Sequence, residues 1–340
     1  MMKHRKIWTI VIIFLLVIVA GTAVYKMDGI YRRAAYVKDS LERYAESVSM
    51  HKEKVNLTQY EPLEDETDSW YTKYHFIAHA GGAIEGKTYT NSIQAWERTY
   101  AGGNRVFDAD LIFTKDGILV LRHDWNDNLE QGIAMRDSRS WMDANGMPRY
   151  TVSQEGMDYH TFINKKIYYK YDAMSCEDML NYMAEHEDIY VACDMKDDIA
   201  YDNGNNYDIT DGYRYLVDLA TEMEIAEVLD RIIVNIYNYD AYDSIMEIYD
   251  FKNVTVRQHY VSPNNYFELA EFCITHDIHV VSVSACYIED AGIQLLREYG
   301  IHIYVAVADY ISDMRIFHEL GADGAVTNYL YEADWSYIAN

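Results

Sequence analysis

Eight short apolar runs that alternate with helical patterns restrict the possible folds of this chain more than any other feature. They read YHFIAH, RVFDAD, IYVACDMK, RIIVNIYN, NVTVRQHY, HVVSVSA, HIYVAVAD and DGAVTN. Most are separated by a stretch whose apolar residues recur with helical spacing. Eight strands that alternate with helices predict an α/β fold, the closed (β/α)8 barrel. An open doubly wound sheet is the alternative, but no Gly-x-Gly-x-x-Gly motif follows a strand.

The connection between the second and third predicted strands is much longer than the others. It begins with TKDGILVLRHDW, in which Lys-Asp-Gly predicts the turn of a hairpin. A polar stretch follows, and we interpret residues 125–172 as an insertion on the barrel rim that covers the substrate. After the first strand, Asn91 and Gln94 form a capping-box-like start for a helix.

The N-terminus begins with a basic flank, MMKHRK, and continues with the uncharged run IWTIVIIFLLVIVAGTAVY. This run is long enough to cross a bilayer core as a helix. We therefore predict a membrane anchor in residues 1–27, a helical stalk and acidic linker in 28–73, and the barrel domain in 74–335. A cleaved signal peptide is the alternative, because Gly21-Thr22-Ala23 is an acceptable cleavage site. In either case the large domain is expected outside the cytoplasm.

The formal net charge of -26 restricts the partners of the chain. A nucleic-acid partner requires a basic surface and is therefore excluded. An acidic chain is suited to concentrating divalent cations. The four cysteines form no Cys-x-x-Cys pair, and Cys193 and Cys286 are expected to act as small buried apolar residues.

Three aspartates at the ends of neighbouring strands form a candidate metal site. Asp108 and Asp110 are two residues apart, so both side chains lie on the same side of their strand. Asp194 and Lys196 repeat this spacing at the end of the next barrel strand. Strand ends at the C-terminal face of such a barrel carry the active site. Three carboxylates there suit Ca²⁺ or Mg²⁺, and Lys196 is then expected to contact an anionic oxygen.

Two histidines are candidates for acid–base chemistry. His79 ends the first strand and is followed by Gly81 and Gly82, which allow a sharp turn. His123 ends the hairpin beside Asp124, which could orient its ring. Together they would act as acid and base on either side of a phosphate. Arg122 alternates with His123 along the strand and is expected to face away from this site.

These motifs resemble the glycerophosphodiester phosphodiesterase family. The resemblance runs through most of the chain after the stalk and is most specific between His79 and Asp124, where Thr-Lys-Asp-Gly and His-Asp match the family pattern. It implies a PLC-like phosphodiesterase TIM barrel that cleaves a phosphodiester with the help of a divalent metal.

The resemblance also implies a role for individual residues. His79 corresponds to the general base and His123 to the general acid. The metal ligands correspond to Asp108, Asp110 and Asp194, and the lysine that contacts phosphate corresponds to Lys196. Asn91 retains the asparagine of the family's Glu-Asn pair.

Four positions depart from the family pattern. Ala80 replaces an arginine, Thr90 replaces a glutamate, and Asp108 and Asp194 each replace a glutamate. The missing arginine removes a bidentate phosphate contact. Arg257, near the end of a later strand, is the residue that could replace it.

The primary hypothesis is metal-dependent hydrolysis of a glycerophosphodiester to glycerol phosphate and an alcohol. One alternative is a phospholipase D-like lyase that releases a cyclic phosphate, since aspartate at the third ligand position resembles the sphingomyelinase D relatives of this fold. Another is a non-catalytic phosphodiester-binding barrel. The substrate class remains open among headgroup esters, lipids and glycerol-phosphate polymers, and the Tyr-rich stretch 159–171 is a candidate for binding a larger substrate by stacking.

Overall fold

Eight parallel strands close into a barrel, which confirms the predicted (β/α)8 fold. The computed structural model describes residues 56–125, 156–196, 207–258, 265–285 and 290–339. Its strands are β1 Phe76–Ala78, β2 Val106–Phe113, β3 Leu119–Leu121, β4 Lys166–Ile167, β5 Tyr171–Asp172, β6 Tyr190–Met195, β7 Ile232–Ile236, β8 Asn253–Arg257, β9 Val280–Ser284, β10 His302–Ala306 and β11 Gly324–Thr327. The barrel runs β1, β2, β6 and then β7 to β11, and β1 closes it by pairing with both β2 and β11.

Helices lie between the barrel strands and confirm the predicted alternation. The α-helices are α1 Trp70–Lys73, α2 Ile93–Ala101, α3 Tyr159–Ile163, α4 Cys176–Glu185, α5 Ile209–Glu222, α6 Asp240–Met246, α7 Tyr266–Thr275, α8 Asp290–Glu298, α9 Ile311–Glu319 and α10 Trp335–Ile338. Short 3-10 helices span Leu57–Gln59, His79–Gly81, Ala226–Arg231 and Glu332–Asp334.

The predicted start of α2 is wrong by one residue. Ser92, and not Asn91, is the N-cap, and its hydroxyl accepts a hydrogen bond from the backbone N–H of Ala95 at 3.4 Å. Gln94 bonds to Asp172 on β5, 78 residues away. Contacts with a distant residue therefore replace the predicted capping box, and Asn91 does not cap the helix.

Alternation along β2 and β6 decides which side chains enter the barrel. Phe107, Ala109 and Leu111 pack in the large apolar core between strands and helices. Val106 belongs to a different cluster, which fills the lower barrel with residues such as Ala192 from β6. Asp108 and Asp110 share the phase of Val106, because alternate residues of a strand face the same side. Both aspartates are therefore delivered into the barrel above an apolar floor.

The segment before β1, which the sequence analysis assigned to the linker, packs against the N-terminal end of the barrel. Leu57 is buried in the main core, and the backbone N–H of Leu63 donates to the carbonyl of Tyr299 at 3.0 Å. The indole of Trp70 lies 5.2 Å from the ring of Tyr304 and closes that end. Within the described residues, no helix is long and apolar enough to cross a membrane. The predicted anchor in residues 1–27 lies outside them.

The predicted hairpin and part of the rim insertion are present. β3 pairs antiparallel with β2, with Leu121 opposite Leu111. The described part of the insertion, from residue 156, contains α3 and the β4–β5 hairpin, and it buries a small apolar cluster with Trp125 and Phe162. The guanidinium of Arg122 lies over both of these rings, so it faces away from the barrel mouth as expected. Residues 126–155 lie outside the described part.

Candidate active site

The three predicted carboxylates and Lys196 meet at the C-terminal mouth of the barrel. Asp110 on β2 is in register with Asp194 on β6, so their side chains lie next to each other. The ammonium group of Lys196, one residue past β6, lies 2.8 Å from a carboxylate oxygen of each. Asp108 and Asp110 are almost completely buried, whereas Asp194 is partly exposed. Lys196 therefore holds two of the three carboxylates together.

Arg257 reaches the same cluster from the far side of the barrel. Its guanidinium lies 3.3 Å from Oδ1 of Asp108, and it also donates to Asn235 and to Ser282 at 3.2 Å each. Asn235 lies on β7 and Ser282 on β9, the two strands that flank β8. Arg257 is therefore held in a fixed position at the mouth, where a cation was expected to replace the missing family arginine.

Burial and charge separate the two β2 aspartates. Burial, with smaller contributions from the neighbouring Asp110 and Asp194, raises the pKa of Asp108 to about 7 against the lowering effect of Arg257. Burial also opposes ionisation of Asp110, but Lys196 and the two imidazoles of His79 and His123 hold its pKa well below its usual range. Asp110 is therefore the more strongly ionised of the two carboxyls.

His79 leaves β1 through a tight turn that glycine makes possible. Ala80, Gly81 and Gly82 all have positive φ, at 48°, 83° and 86°. A Cβ atom on Gly81 would lie 2.3 Å from the indole of Trp96, and one on Gly82 would lie 2.4 Å from the hydroxyl of Thr99. Side chains at either position would therefore be strained and would clash. The turn places His79 at the mouth, partly buried.

A chain of hydrogen bonds fixes the tautomer of His79. Nδ1 of His79 lies 3.1 Å from Oδ1 of Asn328, which follows β11. The amide nitrogen of Asn328 donates to both carboxylate oxygens of Asp309, at 3.2 and 3.0 Å. Because that nitrogen faces a carboxylate, the amide oxygen faces His79, and Nδ1 must carry the proton. Nε2 then has a lone pair, and burial lowers the pKa of the imidazole, which favours the neutral form that a general base requires.

His123 lies on the other side of the same opening. The backbone N–H of Arg122 donates to the carbonyl of Asp110, which places the end of the hairpin beside the carboxylates. Nδ1 of His123 lies 2.8 Å from Oδ2 of Asp124. The ring of Tyr89 meets both imidazoles edge to face, His79 at 4.5 Å and His123 at 5.2 Å between centroids. Both histidines therefore contact the same tyrosine ring.

Asn91 and Ala80 form hydrogen bonds with the two β2 carboxylates. The amide nitrogen of Asn91 donates to Oδ2 of Asp110 at 2.8 Å, and its oxygen accepts from the backbone N–H of Asp110. The backbone N–H of Ala80 lies 3.4 Å from Oδ2 of Asp108. Asn91 is buried and orients Asp110, and its contact with substrate stays a prediction.

The comparisons with known proteins agree with this geometry. The model of the glycerophosphoryl diester phosphodiesterase family matches residues 81–332. The chain belongs to this family. It is therefore a phosphoric diester hydrolase of the glycerophosphodiester phosphodiesterase type. A search of the curated proteins found no match.

Solved structures of this family show the same fold at low sequence identity. A glycerophosphodiester phosphodiesterase from Parabacteroides distasonis is 18% identical, with a TM-score of 0.55, and the alignment covers 78% of this chain and 96% of that one. A phosphodiesterase from Oleispira antarctica, solved with the product sn-glycerol-3-phosphate, is 12% identical with a TM-score of 0.56 and coverages of 79% and 99%. One from Agrobacterium tumefaciens is 13% identical with a TM-score of 0.51 and coverages of 77% and 99%.

Several residues at the mouth of this phosphodiesterase were not singled out from the sequence. Tyr89 lies in a polar loop, with its backbone at a φ of 57°, and nothing local marks its contact with two histidines. Asn328 ends the DGAVTN run and Asp309 ends HIYVAVAD. Both occupy strand-end positions, and the rule that located His79 and Asp110 could have found them.

Proposed function

We propose that the protein hydrolyses a glycerophosphodiester to glycerol phosphate and an alcohol, with His79 as general base and His123 as general acid. The observation that carries this proposal is the arrangement of the two imidazoles. Both rings contact Tyr89, and the hairpin end that carries His123 is bonded to the backbone of Asp110. A base and an acid thus flank one opening above a set of carboxylates.

The carboxylates suit a hard divalent cation in ligand type and in charge. All three side chains offer oxygen, which Ca²⁺ and Mg²⁺ prefer. When all three are ionised, Asp108, Asp110 and Asp194 exceed by one negative charge the two side-chain cations, Lys196 and Arg257, that pair with them in the described part of the chain. A divalent ion together with a singly charged phosphodiester would bring this sum to zero.

In this proposal Asp108, Asp110 and Asp194 hold the cation, which when bound would neutralise charge on the phosphate oxygens. Lys196 and Arg257 orient the phosphate from two sides. Nε2 of His79 takes a proton from the attacking water, whose oxygen forms the new bond to phosphorus. His123 gives a proton to the alkoxide oxygen as its bond to phosphorus breaks. Asp124 keeps the ring of His123 in place for this step.

The test is turnover of a panel of glycerophosphodiesters by the full chain, followed by ³¹P NMR of the products. Activity should disappear after chelation and return with Mg²⁺ or Ca²⁺. His79→Ala and His123→Ala should each lower kcat by about a hundredfold or more, as expected for lost acid–base groups. His160→Ala, at an exposed site on α3, is the matched control and should not change kcat.

Three results would contradict this proposal. Full turnover after exhaustive chelation would remove the metal from the mechanism. Wild-type kcat in a folded histidine variant would remove that histidine from its role. A stable cyclic phosphate as the end product would indicate the lyase reaction in place of hydrolysis.

A further inference from the structure

The opposite end of the barrel carries a second group of side chains that can bind a metal. Glu66 lies in the segment before α1, and Asp277 and His279 lie in the connection that leads into β9. One ligand atom of each residue lies within 4.8 Å of the other two. All three residues precede a strand, whereas His79 and the catalytic carboxylates lie at strand ends. The group is therefore separate from the active site.

His279 is the member of this group that most needs a ligand. Its residue surface is 6% exposed, and neither ring nitrogen makes a hydrogen bond within the described residues. The ring stacks on Tyr71 with centroids 5.3 Å apart and an interplanar angle of 13°, so its orientation is fixed. A buried polar atom without a partner destabilises the fold, which indicates that something else satisfies this imidazole.

The spacing of two of the ligand atoms matches the spacing around one ion. Nε2 of His279 lies 3.3 Å from Oδ1 of Asp277, but the geometry is not that of a hydrogen bond. Two ligand atoms that each lie about 2.1 Å from a tetrahedral ion are roughly 3.4 Å apart. Glu66 faces the other two ligands, because all three residues line one cavity beneath the barrel.

We propose that Glu66, Asp277 and His279 bind a divalent first-row transition metal such as Zn²⁺, with water as the fourth ligand. An imidazole nitrogen with two carboxylates is a ligand set for Zn²⁺, whereas Ca²⁺ and Mg²⁺ prefer oxygen ligands alone. Glu66 belongs to the segment that precedes the barrel, and the other two ligands belong to the barrel itself. The ion thus fastens residues 56–69 to the closed end of the barrel and leaves the catalytic mouth open.

The experiment titrates the full chain with Co²⁺, which replaces Zn²⁺ and absorbs visible light strongly when it is four-coordinate. The oxygen-only catalytic site favours a six-coordinate ion, whose bands are weak, so the strong bands report this site. Competition with Zn²⁺ then gives the affinity, and the melting temperature is measured with and without Zn²⁺.

Three variants and one control accompany the titration. Glu66→Gln and Asp277→Asn change exposed side chains, and asparagine tolerates the φ of 55° at position 277. His279→Gln removes the nitrogen ligand. His302→Gln is the matched control, because His302 also packs on Tyr71, at 4.9 Å, but pairs with Asp65 outside the group.

The wild type and His302→Gln should show strong Co²⁺ bands at one ion per chain and a melting temperature that Zn²⁺ raises. The three ligand variants should lose the bands, and Glu66→Gln should bind Zn²⁺ about a hundredfold or more weakly, since even outer-shell changes cost up to that factor. Hydrolysis at the other end of the barrel should continue in all of them. The proposal would be overturned if the wild type showed no strong bands at excess Co²⁺. It would also be overturned if Glu66→Gln and Asp277→Asn kept the bands of the wild type. Equal loss in folded His302→Gln would overturn it too.

Discussion

The Asn328–Asp309 pair should tune His79, and replacing Asn328 with alanine isolates that effect. Asn328 accepts the Nδ1 proton of His79, so it holds the tautomer in which Nε2 is free to act as the base of the proposed mechanism. A hydrogen bond to a neutral group contributes about 0.5–1.5 kcal/mol, and one to a charged group about 1.5–3 kcal/mol. The imidazole becomes charged as it takes the proton, so this bond strengthens by about 1–1.5 kcal/mol during the reaction. The loss in Asn328→Ala should therefore be about tenfold in kcat, with a smaller change in KM.

The pH profile gives a second readout of the same substitution. The hydrogen bond from Asn328 raises the pKa of His79, although burial lowers it overall. Without that bond, the pKa falls further, and His79 is neutral down to a lower pH. The acidic limb of the kcat profile should therefore move to lower pH in Asn328→Ala, because a general base works only when it is deprotonated.

Asn104→Ala is the control for this experiment. Its side chain bonds to the carbonyl of Leu330 at 3.1 Å and accepts from the backbone N–H of Glu332, so it supports the same segment without contact to His79. Loosening of the segment would affect both variants, whereas loss of the imidazole bond affects one. Equal reductions in kcat for both variants, or wild-type kcat in folded Asn328→Ala, would refute the reasoning.

Three further predictions concern the mouth and its turn. Arg257→Ala should lower kcat/KM by about tenfold or more, because Asp108 loses a buried charged partner. Arg257→Lys should restore little of this loss, since lysine lacks the forked guanidinium that reaches three partners. Steady-state kinetics on one diester test both variants. Gly81→Ala should lower the free energy of unfolding, measured in urea, by about 2 kcal/mol or more. Gly86→Ala is the control and should cost less, because Gly86 has a similar φ of 74° but no atom within 4 Å of the new Cβ. Equal losses in the two variants would show that only backbone strain acts and that the clash with Trp96 does not. Ala80→Arg should reduce the melting temperature without improving turnover of glycerophosphocholine, because Ala80 is fully buried at a φ of 48°.

The sequence alone determined the eight barrel strands, the alternation of these strands with helices, and the side of β2 on which the aspartates lie. Alternation along a strand is a local property, so the spacing of Asp108 and Asp110 was enough to place both inside the barrel. His79, Asp194 and Lys196 could be located because the C-terminal ends of barrel strands carry the active site, and each strand end can be read from its own segment. Arg122 could be assigned to the outer side from its position next to His123.

Only the tertiary structure decided which of these residues touch. Asn328 reaches His79 across 249 residues and Arg257 reaches Asp108 across 149, because closure of the barrel makes β1 the neighbour of β11 and brings β8 opposite β2. Local signals assigned Asn91 to a helix cap, but a buried carboxylate offered it a stronger partner. Contacts between distant segments depend on how the strands close and how the loops then pack, and no spacing within one segment records that.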